Sequence, residues 1–170
     1  MLKKSLFIAL VAATFCLTAQ AQKFGYVNSN EIIQAMPETA TAQNQLKTVN
    51  DKYETEYKNL TEAFQKKLEQ YQKQAEDATT PQAIKDRHEQ ELQQDYEKIQ
   101  NFQKTAAEDV QKQQETLYAP IIQKAQNAIQ AVGAEGGYTF IFDTTVGSIL
   151  YTGANAEDVG SLVKAKLGIK

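Results

Sequence analysis

Apolar residues recur through the first half of the chain at Leu46, Val49, Tyr53, Tyr57, Leu60, Phe64, Leu68, Tyr71, Ala75 and Ala78, in steps of 3, 4, 4, 3, 4, 4, 3, 4 and 3. Two successive 3-4-4 blocks make an eleven-residue repeat. Its period of about 3.67 is close to the natural 3.6 of an α-helix, so the stripe stays on one face of a nearly straight helix. A second helical pattern follows at Ile84, His88, Leu92, Tyr96, Ile99, Phe102, Ala106, Val110, Leu117, Ile121, Ala125 and Val132. No glycine falls between Gly25 and Gly133, and Pro81 interrupts the run with Thr80 before it as an N-cap. The two patterns predict an antiparallel helical hairpin, a two-helix coiled coil, that reverses over residues 77–81. Arms of roughly 40 and 50 residues would be about 60 and 75 Å long, beyond the diameter of a small globular domain.

The outer faces of the first arm offer Glu54/Lys58, Glu62/Lys66 and Glu69/Lys73 in the favoured acid-before-base i,i+4 order. In the second arm Gln111, Gln113 and Gln114 leave a thin patch between Val110 and Leu117. Pro120 lies inside the pattern, where it removes a backbone hydrogen bond and predicts a kink near residues 116–120.

The pattern changes at both ends of the chain. Lys23-Phe24-Gly25-Tyr26-Val27 reads as a short strand. Asn28 with Glu31 forms a capping-box pattern that opens a short helix carrying Ile32, Ile33 and Met36, which Pro37 ends. Seven of the eight glycines lie beyond Val132. Gly133 reads as a helix C-cap and Gly136-Gly137 as a turn. Residues 138–142 and 148–152 then read as two strands joined by residues 143–147, and Asn155 as the cap of a last amphipathic helix bearing Val159, Leu162, Val163 and Leu167.

The predicted fold is therefore α+β and mostly helical, with a small β-stranded body drawn from both chain ends and a long antiparallel helical-hairpin tentacle inserted between them. The body comprises residues 22–45 and 120–170, and the arm 46–119 with its tip at 77–81. Three short strands and two short helices bury little apolar surface and leave sheet edges unpaired, so the body is expected to oligomerise. Its candidate residues are Phe24, Tyr26, Val27, Ile32 and Ile33 at the start, Phe140, Ile141 and Phe142 in the second strand, and Ile149, Leu150 and Tyr151 in the third.

Residues 1–21 stand apart from this architecture. Lys3 and Lys4 precede an apolar run from Leu6 to Leu17 that ends in Ala19-Gln20-Ala21, the layout of a cleaved signal peptide with mature start at Gln22. The run is short for a membrane anchor. Cys16 invites a lipoprotein reading, which Phe15 before it and the A-x-A site after it oppose. Cleavage leaves no cysteine and 16 basic against 21 acidic residues, a net charge of −5. That sign argues against nucleic acid as a partner.

Little in the chain could carry enzyme chemistry. The mature part has no cysteine, one histidine and no tryptophan. His88 falls on the helical stripe, where a packing role outweighs a catalytic one, and no metal set assembles around it. Ser161-Leu162-Val163-Lys164 matches S-x-x-K without its companion motifs, no Walker A motif occurs, and Asn59-Leu60-Thr61 is a sequon in mid-helix. The expectation is a protein that is not an enzyme, uses no cofactor and works without ATP.

Taken in order, Gly25-Tyr26-Val27-Asn28, Met36-Pro37-Glu38, the charged and glutamine-rich arms, Tyr118-Ala119-Pro120-Ile121, Gly137-Tyr138 and Ile149-Leu150-Tyr151 resemble the Skp/OmpH family of periplasmic chaperones over essentially the whole mature length. The resemblance implies a homotrimer with a β-stranded body and three tentacles around a cavity. It implies an ATP-independent holdase that keeps unfolded outer-membrane β-barrel proteins from aggregating in the periplasm. Client contact would then spread over Tyr53, Tyr57, Phe64, Tyr71, Tyr96 and Phe102, whose apolar bodies and polar tips suit variable partners. The same six residues, being at helical spacing, are also candidates for closing the two arms on each other. Unlike markedly basic members of that family, residues 61–104 hold seven Lys/Arg against nine Asp/Glu. This argues against contact with lipopolysaccharide or an anionic membrane, and makes Lys66-Lys67 and Lys85/Arg87 part of a solvated mixed-charge face. The alternatives are a structural coiled-coil adaptor of the periplasm without chaperone activity and a prefoldin-like holder, against which the export signal argues.

Overall fold

The computed structural model describes residues 22–169, so the expected signal peptide lies outside the described residues. The element order is β1 (Phe24–Val27), α1 (Ser29–Ala35), α2 (Pro37–Glu76), α3 (Gln82–Gly136), β2 (Phe140–Asp143), β3 (Ala156–Asp158) and α4 (Gly160–Leu167). This is the expected α+β arrangement, with a helical hairpin between strand-bearing ends. The chain divides into two compact units, one from Ile33 to Lys124 and the other from the two ends, up to Ile32 and from Ala125 on.

In the hairpin unit α2 has 40 residues and opens at Pro37, where a missing N–H costs nothing because the first helical amides have no intrahelical acceptor. Met36 before it is extended, with φ −74 and ψ 131. The reversal is organised by Asp77 rather than by the expected Thr80 cap. Asp77 Oδ1 accepts from the Thr79 amide at 2.8 Å and from its hydroxyl at 2.7 Å, and the Asp77 carbonyl accepts from the Thr80 amide at 3.1 Å. The amides of Ile84 and Lys85 then bond to the Pro81 carbonyl at 2.9 and 3.3 Å, which starts α3. α3 continues as helix through Pro120.

None of the three expected acid-before-base pairs is among the ion pairs of the described residues. Lys58 reaches forward to Glu62 at 3.9 Å, and Lys47–Asp51 and Lys104–Glu108 have the same base-first order at 2.7 and 3.9 Å. Lys58 has an acid four residues away on either side, and exposed pairs differ by only tenths of a kcal/mol, so which of the two it takes carries little energy.

In the other unit β1 is the centre of a three-stranded sheet of order β2-β1-β3, with both pairings parallel. The expected strand at 148–152 is not formed; the third strand is Ala156–Asp158. Val159 decides this: it is wholly buried and its amide bonds to the Tyr26 carbonyl at 3.0 Å, which pins the residues just before it to the β1 edge. Asn155 consequently caps no helix. α4 starts five residues later, with Asp158 Oδ1 accepting from the Gly160 amide at 2.8 Å.

One face of β1 carries Gly25 and Val27, both buried. With Val27 on that side, the apolar core of this unit comprises Ile32, Ala125, Ala128, Val132, Val159 and Val163. A Cβ on Gly25 would lie 3.1 Å from both the Tyr138 ring and Val159, so this strand position needs glycine for close approach. α3 ends three residues beyond the expected Gly133 cap. Gly137, at φ 65, turns the chain, and the Tyr138 amide bonds back to the Gly133 carbonyl at 3.0 Å in a Schellman pattern.

The Asn28/Glu31 box forms in modified shape. Asn28 Oδ1 accepts from the Glu31 amide at 3.1 Å, and the Asn28 side-chain amide donates to Glu31 at 2.9 Å. Asp143, at the end of β2, accepts from both the Ser29 amide and hydroxyl, at 3.2 and 2.5 Å, and so ties the second strand to the start of α1. Burial pushes the Asp143 carboxyl up, and the hydrogen bonds from Ser29 and Thr145 more than offset it, leaving it below the ordinary carboxylate range.

Candidate functional site

Two surfaces collect the residues that the sequence singles out. The first is the seam of the hairpin. Leu46, Val49, Tyr53, Leu60, Phe64 and Tyr71 of α2 are all half-buried, which is what a single helical stripe against one partner helix gives. The deepest residue facing them in the middle of α3 is Ile99, with His88 nearer the tip.

The seam aromatics meet in pairs. Tyr53 packs edge-on against Phe102 with ring centroids 5.9 Å apart, and Phe64 lies 6.4 Å from Tyr96. Tyr71 stacks on His88 at 3.8 Å and 9°. Five of the six candidate contact residues therefore have a ring neighbour across the hairpin. Tyr57 has none among the described residues, and Tyr96 remains about half exposed, at 51%.

Polar clips cross the seam beside these rings. Tyr53 donates to Asp109 at 2.7 Å and Tyr71 to Glu91 at 2.5 Å. Lys67 pairs with Asp95 at 2.5 Å, and Lys124 with Glu38. Lys67 thus belongs to the seam rather than to the solvated face expected for it, and Lys85 donates to the Ala75 carbonyl at 2.6 Å across the tip. The bonds hold the Asp109, Glu91, Asp95 and Glu38 carboxyls below their ordinary range, chiefly through Tyr53, Tyr71, Lys67 and Lys124 in turn. The same bonds, from Asp109 and Glu91, raise the Tyr53 and Tyr71 phenols.

Sequence reasoning missed the carboxylate halves of these clips. Nothing local marks them, since the partners are 20 to 86 residues apart; only pairing positions equidistant from Pro81 would have found them.

The second surface is the outer face of the sheet. Register places Phe24 beside Phe140 and Tyr26 beside Phe142, on the side of β1 opposite Gly25 and Val27. The Phe24 and Phe140 rings lie parallel at 6.4 Å, and Phe140 is 5.9 Å from Phe142. Phe140 and Phe142 remain 58% and 46% exposed, and the following loop exposes Leu150 and Tyr151 almost fully, at 95% and 85%. Ile141 and Ile149 are half-buried, as is Ile33, which falls in the hairpin unit, while Val27 and Ile32 are core.

Among the described residues no group of His, Cys, Asp or Glu is placed to hold a metal ion, and no helix is long and apolar enough to cross a membrane. Both surfaces are apolar and aromatic with polar tips, which suits contact with other polypeptides.

The family model for outer membrane protein (OmpH-like) matches residues 23–167. No curated protein matches the sequence. Among solved structures, a crystal structure from Caulobacter crescentus CB15, assigned as an OmpH-like outer membrane chaperone, superposes with a TM-score of 0.71 over 86% of this chain and 83% of that chain. The two are 16% identical, so this likeness speaks for the fold.

Proposed function

We propose, from the premise that the chain belongs to the OmpH-like family, that it is an ATP-independent periplasmic holdase. Its clients would be unfolded outer-membrane β-barrel proteins, which carry alternating apolar residues and unpaired backbone and aggregate in water unless shielded. The observation that carries this reading is the hairpin itself. Helices of 40 and 55 residues keep their aromatic rings only half-buried, giving a long surface of weak, adaptable contacts rather than one tight pocket. Residues 1–21 serve as the cleaved export signal. The body, 22–45 with 120–170, assembles three copies through the aromatic sheet face, and the arm, 46–119, does the holding. A parallel sheet is ordinarily covered on both faces, which is why the bare Phe24, Phe140 and Phe142 side calls for another copy.

The test is dilution of a urea-denatured outer-membrane barrel protein into buffer with purified mature protein at near-stoichiometric ratio and no nucleotide. Suppressed light scattering is expected; aggregation unaffected by the protein would sink the holdase reading and leave the structural adaptor.

A further inference from the structure

The two flanks of the hairpin seam are chemically different. Of the open grooves along it, two in its middle, of about 490 and 540 Å³, have no basic lining, whereas those near the tip and near Pro120 include Lys85 and Lys124. The first is walled by Tyr53, Tyr57, Phe102 and Ala106, and the second by Phe64, Leu92 and Tyr96. Each therefore pairs a phenylalanine with one of the two seam tyrosines, Tyr57 and Tyr96, whose hydroxyls make no hydrogen bond among the described residues. The α3 residues Glu89, Leu92, Tyr96, Gln103, Ala107 and Val110, which edge the two grooves, are spaced 3, 4, 7, 4 and 3 apart. That is helical spacing, so both grooves open on the same flank. Gln94, Lys98, Asn101 and Thr105, spaced 4, 3 and 4, are exposed on the other flank.

The charged groups of these two grooves are acidic. The charged side chains lining the grooves are Glu54, Asp86 and Glu89, and neither groove is lined by a lysine or arginine. Their remaining polar lining is amide, from Asn50, Gln90, Gln93 and Gln103. The groove centres on α3 are about 14 residues apart, or about 21 Å. Side chains on one face of an extended strand, six residues apart, are separated by about 20 Å.

We infer that this flank is the client track of the arm, and that it takes an extended polypeptide segment with aromatic residues about six positions apart and lysine or arginine beside them. Aromatic rings pack against the exposed edges of the Phe and Tyr walls, and the basic side chains meet Glu54, Asp86 and Glu89. The inference rests on the holdase reading and adds to it a face, a conformation and a charge preference.

The test uses the full mature protein with a photoreactive residue in place of Gln93 or Gln103 on the groove flank, or Gln94 or Thr105 on the other, and the denatured barrel protein as client. Crosslinks to client at least tenfold more abundant from the groove flank are expected. Equal yields from both flanks, with aggregation still suppressed, would overturn the track while leaving the holdase intact. Arm-to-arm crosslinks at Gln93 and Gln103 that persist when client is added would show that a second copy occupies the grooves, and would also overturn it. In a second arm, Glu54→Lys with Glu89→Lys should weaken binding of an extended peptide carrying two phenylalanines six apart flanked by arginine by at least fivefold. The same change should strengthen binding of the peptide with glutamate in place of arginine. Unchanged affinity for both peptides would remove the charge preference.

Discussion

Tyr53 and Asp109, joined by a 2.7 Å hydrogen bond, stand 28 residues before and 28 residues after Pro81. Lys67 and Asp95 are 14 residues either side, Tyr71 and Glu91 are 10, and Glu38 and Lys124 are 43. One register thus holds from the tip to the far end of the hairpin, and Pro120 introduces no slip between the Asp109 and Lys124 clips. A matched deletion should then be tolerated. Removing residues 54–64 together with 98–108 takes three helical turns from each arm and keeps the clips on both sides in phase. Removing 54–64 alone moves every clip beyond it out of register by about 16 Å. The matched variant should melt cooperatively by far-UV circular dichroism, and the one-sided variant should melt at least about 10 °C lower. Equal melting of the two would show that the clips do not set the register.

The clips also fix how the hairpin responds to pH. The Glu91, Asp95 and Asp109 carboxyls are held below their ordinary range, so their contribution is complete above the unfolded carboxylate value of about 4 and is lost as pH falls through the lower folded values. Tyr53 and Tyr71 are raised; each donates through its proton, so that contribution is present below about 10 and is lost as pH rises through the higher folded values. Urea midpoints should be highest between about pH 5 and pH 9 and fall on both sides. Asp109→Asn should shrink the acid-side fall. A wild-type midpoint that is the same at pH 3 and pH 7 would contradict this.

Gln74 offers a stabilising change. Its Oε1 is buried and has no hydrogen-bond partner, at the position that mirrors His88 about Pro81. Replacing an unpaired buried acceptor by an apolar group recovers a desolvation cost of about 1 kcal/mol or more. Gln74→Leu should therefore raise the urea midpoint of the mature protein. A lowered midpoint would mean that the oxygen is satisfied in solution.

Gly25 is closely hemmed in within the sheet. A side chain there meets the Tyr138 ring and the wholly buried Val159, both 3.1 Å from a Cβ, and the second cannot move aside without opening the core. Gly25→Val should cost about 2 kcal/mol or more, read as a lower melting temperature of the strand-bearing unit. A variant as stable as the parent would show that both Tyr138 and Val159 can give way.

How much of this was readable differs between the two units. The hairpin was legible because the long glycine-free run, the eleven-residue stripe and Pro81 are local signals that agree with one another. Its clips were not, because Asp109 or Glu91 acquires meaning only once the opposite arm is in place. In the sheet unit, residues 148–152 have the β-branched and aromatic composition of a strand, yet both edges of β1 are taken by β2 and β3. The residues that do form β3, Ala156, Glu157 and Asp158, have poor strand propensity and are placed by Val159 behind them, a tertiary effect that no local window contains.

That unpaired segment leads to the last prediction. Leu150 and Tyr151 are 95% and 85% exposed in the protomer, next to the bare Phe142 of the sheet face. Large apolar side chains so exposed and so close together mark a surface that another chain covers. If copies of this chain cover it, Leu150→Asp with Tyr151→Asp places two charges in the contact. The native mass should fall from an oligomer to a protomer at micromolar concentration. The far-UV circular dichroism signal should change little, since neither residue packs inside its own protomer. A variant that keeps the parent's mass would place the contact elsewhere, and a parent that is itself a monomer by native mass spectrometry would remove the assembled body altogether.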